Sequence, residues 1–226
     1  FPRIIEKFSV AGELISCERY GEGHINDTFK VTMDDCGREV HYILQRINNR
    51  LFPDVERLMH NIELVTEFCR KSVMERGGDP MRECLTLIRT KDGASYTCEN
   101  GDYFRMYVFI EGATTYQSVR DPRDFYESAV AFGNFANLLA KFDASQLYEV
   151  RPDFHNTKVR YENFLRAVEK DVCGRVKEVR GEIDWVKEHS DLCGKIVDKI
   201  ASGEIPLRVT HNDTKLNNVM LDDATG

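Results

Sequence analysis

The sequence predicts an α+β protein in which an antiparallel sheet with one inserted helix is followed by a mainly helical part. Three observations support this. Up to residue 111, short apolar runs alternate with glycine turns, a long segment among them changes to a helical period, and helical stripes dominate from residue 112 onward. We therefore expect an N-terminal lobe over 1–111 and a C-terminal lobe over 112–226.

The first strands are predicted from runs of apolar and β-branched residues that are bounded by turns. They cover residues 13–20, 27–32 and 39–46, and the glycine-containing turns lie at 21–23 and 34–37. Connections this short join antiparallel neighbours. The beginning of the chain is therefore predicted to be an antiparallel meander.

The next segment, 55–71, changes period, because its apolar residues recur at helical spacing. Pro53, just ahead of it, suits a helix start. Further strand candidates follow at 85–90, 95–98 and 103–110. The helix is thus inserted after the third strand of the sheet.

Helices are predicted for the C-terminal lobe from a strong apolar stripe at 125–142 and weaker ones at 161–171 and 185–201. The aromatic residues of these stripes are interpreted as core. Two short apolar runs, 207–210 and 219–221, read as strands on either side of a polar loop.

Composition narrows the class of protein. The chain has 226 residues, of which 42% are hydrophobic and 31% charged, as in ordinary globular proteins. Its net charge of −7 favours neither nucleic acid nor an anionic membrane as a partner. The seven cysteines are scattered without metal-ligand spacing, and no apolar run approaches the ~20 residues that span a bilayer. We therefore expect a cytoplasmic protein.

The most specific chemical signal is the polar loop 211–218, which satisfies H-x-D-x-x-x-x-N. This spacing is typical of the catalytic loop of kinase-type phosphoryl-transfer enzymes. Such chemistry needs an aspartate for the acceptor hydroxyl, an oxygen ligand for Mg²⁺ and a cation near the γ-phosphate. Asp213, Asn218 and Lys215 offer these groups, and His211 is interpreted as a structural brace. The alternative is a polar hairpin that contains these residues by chance.

Two other segments suit a nucleotide site. Gly21 and Gly23 would let backbone N–H groups close on phosphate oxygens, although G-x-G alone is common in hairpins. Phe109 and Ile110 end the last predicted strand of the sheet, where a hinge between lobes would offer backbone groups to an adenine edge. Both nucleotide-binding assignments therefore rest on where these residues lie relative to the predicted strands.

The third strand carries Gln45 where a kinase usually places a phosphate-binding lysine, and Arg46 follows on the opposite face. Either could contact phosphate. On the following helix, Glu56 and Glu63 are candidate partners for this strand, or solvated surface residues. His24, beside the glycine turn, could face a ligand or solvate the turn.

Taken together, these segments resemble the aminoglycoside phosphotransferase and choline kinase superfamily. Within it, the sequence is similar to the N-acetylhexosamine 1-kinases. The similarity runs from about residue 20 to residue 226 and is carried by Y-G-E-G-H-I-N-D-T, Y-I-L-Q-R-I-N, F-G-N-F-A-N-L-L-A-K-F-D-A-S-Q-L and I-P-L-R-V-T-H-N-D-T-K-L-N-N.

The resemblance implies a bilobal protein-kinase-like fold and transfer of the γ-phosphate of ATP, with Mg²⁺, to the anomeric hydroxyl of N-acetylglucosamine or N-acetylgalactosamine. It implies that Asp213 is the catalytic base, which holds the sugar hydroxyl, and that Asn218 is a magnesium ligand. His24 would contact the sugar, and Lys215 would neutralise the transferring phosphoryl. Those sugar kinases share the glutamine found at Gln45.

The sequence departs from the family after the polar loop. The family places an I-D-x-D strand there, whose aspartate is the main magnesium ligand, and then further helices. We therefore expect a truncated C-terminal lobe that is inactive by itself. Two alternatives stay open: a kinase of another small alcohol, such as an aminoglycoside, choline or another sugar, or a catalytically dead binding module if the chain truly ends at Gly226.

Overall fold

The structure, a computed structural model, describes residues 1–21, 23 and 25–226. It confirms the α+β class. The strands are β1 (Glu13–Arg19), β2 (Asp27–Asp35), β3 (Arg38–Ile47), β4 (Leu87–Ile88), β5 (Thr97–Glu99), β6 (Asp102–Val108), β7 (Ala113–Thr114) and β8 (Leu221–Asp222). The α-helices are α1 (Pro2–Ile5), α2 (Val55–Glu75), α3 (Pro80–Glu83), α4 (Pro122–Leu138), α5 (Thr157–Lys170), α6 (Arg180–Glu188) and α7 (Lys195–Ala201).

The main sheet is antiparallel, with the order β1-β2-β3-β6-β4 and with β5 paired to β6. The β2–β3 hairpin turns at Cys36 and Gly37, both of which have positive φ (56° and 85°), as a tight right-twisting hairpin requires. Asp34 braces this turn, because its Oδ1 accepts a hydrogen bond of 2.7 Å from the Gly37 amide. The predicted meander of the first three strands is confirmed.

Strand alternation divides the apolar side chains between the two faces of the sheet. One face packs against α1, a short helix that the sequence patterns did not reveal, and together they form the largest core cluster. Its buried members are Ile4, Ile5, Phe8, Val31, Met33, Tyr42, Leu44, Phe104 and Met106.

The opposite face of the sheet receives α2, because Ile47 packs there against Val55 and Met59 of this helix. The helix begins at an N-cap, Asp54, whose side chain accepts from the Arg57 amide at 3.0 Å. It continues four residues beyond the predicted end at residue 71, to Glu75. The inserted helix is thus confirmed, and it packs on the same face of the sheet that carries Gln45.

A third cluster joins the C-terminal half of α2 to the end of α4 through Cys69, Val73, Cys84 and Leu139. Burial raises the pKa of the Cys69 thiol to about 12. A buried neutral thiol behaves as a small apolar side chain. This cysteine therefore contributes to packing.

Several predicted elements differ from the structure. The strand expected at 85–90 is only two residues long, although Thr90 forms a bridge with Phe8, and the one expected at 95–98 lies at Thr97–Glu99. No strand forms at 207–210, where Val209 packs on the third cluster instead. The helix expected at 185–201 is divided into α6 and α7 by a 3₁₀ turn, Ser190–Gly194. In α4, Phe125 was expected in the core but is 63% exposed.

The chain forms two compact units, one of Phe1–Val150 with Arg208–Gly226 and one of Arg151–Leu207. The first contains the sheet, α1 to α4 and the polar loop. The second contains α5 to α7, where Lys158 pairs with Asp198 at 2.5 Å. Within residues 1–21, 23 and 25–226, no helix has the length and apolar character of a membrane-spanning segment. The division into lobes at residue 111 stays a prediction.

Candidate active site

The polar loop is anchored at both ends by packing. At its start, the His211 ring lies edge-on against Phe132 and Phe135 of α4, with centroid distances of 5.2 and 5.9 Å. At its end, a 3₁₀ turn, Leu216–Asn218, precedes the buried Val219. These contacts agree with a bracing role for His211, although this residue and the loop residues after it up to Lys215 are exposed.

Within the loop, the structure brings Asp213, Lys215 and Asn218 together. The Asn218 Nδ2 atom donates to the backbone oxygen and to Oδ2 of Asp213, each at 2.8 Å, and the Lys215 Nζ atom lies 3.2 Å from the same Oδ2. Hydrogen bonds from Asn218 first and from Lys215 second hold the pKa of Asp213 below its usual value. The carboxylate is therefore anionic at neutral pH and can accept a proton.

This carboxylate is also accessible, because the Asp213 side chain is 59% exposed and that of Lys215 57%. The loop presents an anion, a cation and an amide on one open surface. This is the combination that transfer of a phosphoryl group to a hydroxyl requires.

The loop is tied to the predicted hinge by a small sheet. Strand β8, which follows the loop, pairs with β7 in the register Ala113↔Asp222 and Thr114↔Leu221, and the Asp223 amide donates to the Gly112 oxygen at 2.9 Å. Residues 109–110 precede β7 by only a few positions in the sequence, and β7 pairs with the strand that follows the loop.

Arg82 of α3 reinforces this connection. Its guanidinium donates to the Glu111 backbone oxygen at 2.6 Å and to Oδ2 of Asp222 at 2.5 Å. The other oxygen of Asp222 accepts from the backbone amides of Ala224 and Thr225, both at 3.0 Å. One arginine thus links the end of the main sheet to β8 and the turn that follows it.

We expect Arg82→Met to loosen the β7–β8 pairing while lowering overall stability by only about 1 kcal/mol or less, because partly exposed ion pairs contribute little. Hydrogen exchange of the amides at 113–114 and 221–222 should accelerate. The matched control is Arg76→Met, which removes a surface pair with Glu83 in the same region of the chain. Equal exchange in both variants would contradict this role for Arg82.

The predicted hinge residue Phe109 lies among aromatic and charged side chains. Its amide donates to the His41 oxygen at 3.2 Å, its ring contacts Tyr20 edge-on at 5.5 Å, and the Lys30 Nζ atom lies 4.5 Å from the ring centroid. Because Tyr20 immediately precedes Gly21, this contact places the glycine turn beside the hinge. Ile110 is half-buried and follows the strand.

The two glycines of the predicted turn have open space around them. Gly21 has φ +73°, a conformation that favours glycine, and a Cβ added at Gly21 or Gly23 would meet nothing within 4 Å. Further along, just before β2, Asn26 Oδ1 accepts from the Asn48 amide at 3.0 Å. The predicted sugar contact His24 lies outside the described residues.

The structure separates the two phosphate candidates of the third strand. The Gln45 side chain donates to Thr28 Oγ1 at 3.0 Å and accepts from the Arg105 Nε atom at 3.1 Å. Arg46, on the other face, bonds to Asp27 Oδ2 at 2.9 and 2.5 Å. The hydrogen bond from Arg46 is the main cause that lowers the pKa of Asp27. Gln45 is thus held between two neighbouring strands, and Arg46 is engaged in an ion pair.

The glutamates of α2 do not pair with the third strand. Glu63 instead bonds to Arg89 at 2.7 Å, and Glu56 lines a surface cavity of about 450 Å³ with Tyr96 and Tyr148. Sequence reasoning missed Arg105, because only the pairing of strands brings it next to Gln45. In the described part of the chain, no group of three or more His, Cys, Asp or Glu side chains could hold a metal ion.

The sheet with its inserted helix and the carboxylate loop define a class of proteins that transfer phosphoryl groups. A family model described as "Phosphotransferase enzyme family" matches residues 16–226, and the chain belongs to this family. The resemblance to the aminoglycoside phosphotransferase and choline kinase superfamily is therefore confirmed.

Two solved structures are similar to the chain, each at 13% identity. One is an aminoglycoside phosphotransferase from Alicyclobacillus acidocaldarius subsp. acidocaldarius DSM 446, with a TM-score of 0.42; the match covers 74% of this chain and 42% of that one. The other is spectinomycin phosphotransferase APH(9)-Ia in complex with ADP and spectinomycin, with a TM-score of 0.49 and coverage of 95% and 62%. The chain thus spans less than two thirds of the length of either structure.

Proposed function

We propose that the protein is an ATP-dependent small-molecule kinase that transfers the γ-phosphate to the anomeric hydroxyl of N-acetylglucosamine or N-acetylgalactosamine. Membership of the phosphotransferase family supports the reaction class. The single observation that carries the proposal is the contact of Asp213 with Asn218 and Lys215 in an exposed loop. The long sequence matches to the N-acetylhexosamine 1-kinases support the choice of acceptor.

In this proposal Asp213 binds the sugar hydroxyl and accepts its proton as the oxygen attacks the γ-phosphorus of ATP, while the bond from that phosphorus to the bridging oxygen breaks and ADP leaves. The hydrogen bonds from Asn218 and Lys215 that lower the pKa of Asp213 also fix the position of the anionic carboxylate, the form that accepts a proton. Lys215 lies beside the carboxylate and would share the charge that spreads over the phosphoryl oxygens. Holding the hydroxyl in line with the γ-phosphate would supply much of the rate.

Magnesium would neutralise the phosphate oxygens when it is bound with ATP. Asn218 suits this ion, because its amide nitrogen faces Asp213 and its Oδ1 is an oxygen ligand of the kind that Mg²⁺ takes. Mg²⁺ usually binds one or two protein carboxylates together with substrate phosphates and water. The loop fits part of such a set.

For the nucleotide, we propose Gly21 and Gly23 beside the phosphates and the backbone of Phe109 and Ile110 beside the base. The contact between Tyr20 and Phe109 supports this, since it brings the two segments together. Gln45 would face the phosphate region, and His24 would contact the sugar. The N-terminal lobe 1–111 would then bind ATP, the lobe 112–226 would hold the acceptor, and the protein would act in the cytoplasm.

The test is ATP consumption by the full-length protein with Mg²⁺ and N-acetylglucosamine or N-acetylgalactosamine. The matched control acceptor is 1-deoxy-N-acetylglucosamine, which lacks only the anomeric hydroxyl. We expect a sugar 1-phosphate from the first two and no product from the third.

Other acceptors separate the specificity from the reaction class. Family membership is equally consistent with an aminoglycoside kinase, so kanamycin, choline and glucose belong in the same assay. Phosphorylation of one of these without any amino sugar turnover would overturn the proposed acceptor alone. If none of the acceptors is phosphorylated, the kinase proposal is overturned and a binding module is favoured.

A further inference from the structure

Arg105 lies on β6, next to the position on the third strand at which this sheet has Gln45 and not a phosphate-binding lysine. It is the cross-strand partner of Gln45 in the register of β3 and β6. Directly opposed residues point to the same face of a sheet. The Arg105 Nε atom indeed donates to Gln45 Oε1 at 3.1 Å. The guanidinium therefore sits beside the position at which a kinase usually carries its lysine.

The environment of this guanidinium contains weak acceptors. Its Nη1 atom is 3.9 Å from the Met59 Sδ atom, and its Cζ atom is 5.4 Å from the Tyr107 ring centroid. No carboxylate of the described residues lies within ion-pair distance of Arg105, although the side chain is half-buried. A guanidinium carries five N–H donors, so several remain for a ligand.

Two other arginines of the sheet region, unlike Arg105, have carboxylate partners that balance their charge. Arg46 pairs with Asp27 and Asp102, and Arg89 pairs with Glu63 and Glu67. Removing a charge from water without a counter-charge is costly. A half-buried arginine that pairs with no carboxylate of the described residues is therefore suited to an anion that arrives from outside the chain.

We propose that Arg105 binds a phosphate of ATP and supplies the cation that Gln45 does not. The inference rests on the proposed kinase function. The planar fork of the guanidinium matches phosphate oxygens in two-point hydrogen bonds. Gln45 acts as a positioning residue, because it accepts from Arg105 and donates to Thr28, which fixes the guanidinium over the sheet.

Two other cations of the described residues, Lys30 and Arg89, lie near this face, and Arg89 is already paired with Glu63 and Glu67 of α2. Lys30 is placed differently. The Lys30 Nζ atom lies over the Phe109 ring, at 4.5 Å from the centroid, and its strand partner is Ile43 and not Gln45. It is therefore next to the hinge, where the base is proposed to bind. Arg105 is the cation beside Gln45.

The experiment compares the binding of ATP, ADP and adenosine to the full-length protein and to Arg105→Gln by titration calorimetry. Loss of a charge-assisted contact should weaken ATP and ADP binding by roughly 10- to 100-fold. Adenosine binding should change less than about twofold, because adenosine has no phosphate. The matched control is Arg38→Gln, which removes the same charge from an exposed position at the far end of β3 and should leave all three ligands unchanged.

Equal ATP binding by Arg105→Gln and the unchanged protein would overturn the inference while leaving the kinase proposal intact. Equal weakening of adenosine and ATP would also overturn it, since the variant would then have disturbed the whole site. If neither ATP nor adenosine binds the unchanged protein, the kinase function itself fails. Should Arg105→Gln not fold, Arg105→Lys gives the answer, because a single ammonium should weaken ATP several-fold and spare adenosine.

Discussion

Asp213→Asn should lower the turnover of the full-length protein by about 10²–10⁴-fold, the range that a positioned general base contributes. Asparagine keeps the size of the side chain but cannot take the proton of the acceptor hydroxyl. The position is 59% exposed, so the fold should tolerate the change. The measurement is the rate of sugar phosphorylation at saturating ATP, with circular dichroism to verify folding.

Asp223→Asn is the matched control, because it makes the same change at an exposed aspartate just beyond β8. Its backbone amide, not its side chain, bonds to Gly112 at 2.9 Å. Turnover in this control should stay within about twofold of the unchanged protein, as for most surface substitutions. Turnover of Asp213→Asn at the same level would remove Asp213 from the role of base.

The elements that the sequence predicted best are those that local patterns specify. The first three strands and α2 each have their own hydrophobic period, and the turn at 36–37 contains Gly37, the kind of residue that a tight hairpin favours. The loop containing Asp213 was equally visible, because its chemistry depends on spacing within eight residues. Each of these predictions required no knowledge of distant partners.

The elements that were predicted poorly depend on contacts that are remote in sequence. Strand β4 is formed by pairing with residues of β6 that lie about twenty positions further along the chain, and the run 207–210 packs by Val209 instead of joining a sheet. The exposed Phe125 follows from the same limit, since a helical stripe does not specify its own partner. Arg105 looked like an ordinary strand residue until the register placed it opposite Gln45.

The second large effect is expected next to α1, the helix that the sequence patterns did not reveal. Phe8, which follows α1, is fully buried, and it forms a bridge to Thr90. We expect Phe8→Ala to reduce the free energy of unfolding by about 3–5 kcal/mol, because it removes a large side chain and leaves a cavity. A typical domain has only about 5–15 kcal/mol in total. Urea unfolding followed by far-UV circular dichroism measures the loss.

Phe125→Ala removes the same atoms from a side chain that is 63% exposed, so it should change the free energy of unfolding by less than about 1 kcal/mol. Circular dichroism suits both variants, because the single tryptophan, Trp185, belongs to the 151–207 unit and would not follow the sheet. If the two variants lost stability equally, α1 and the residues after it would not form part of the sheet's core. A larger loss in Phe8→Ala would instead establish that these first residues cover one face of the sheet. Gln45 and Arg105 lie on the opposite face.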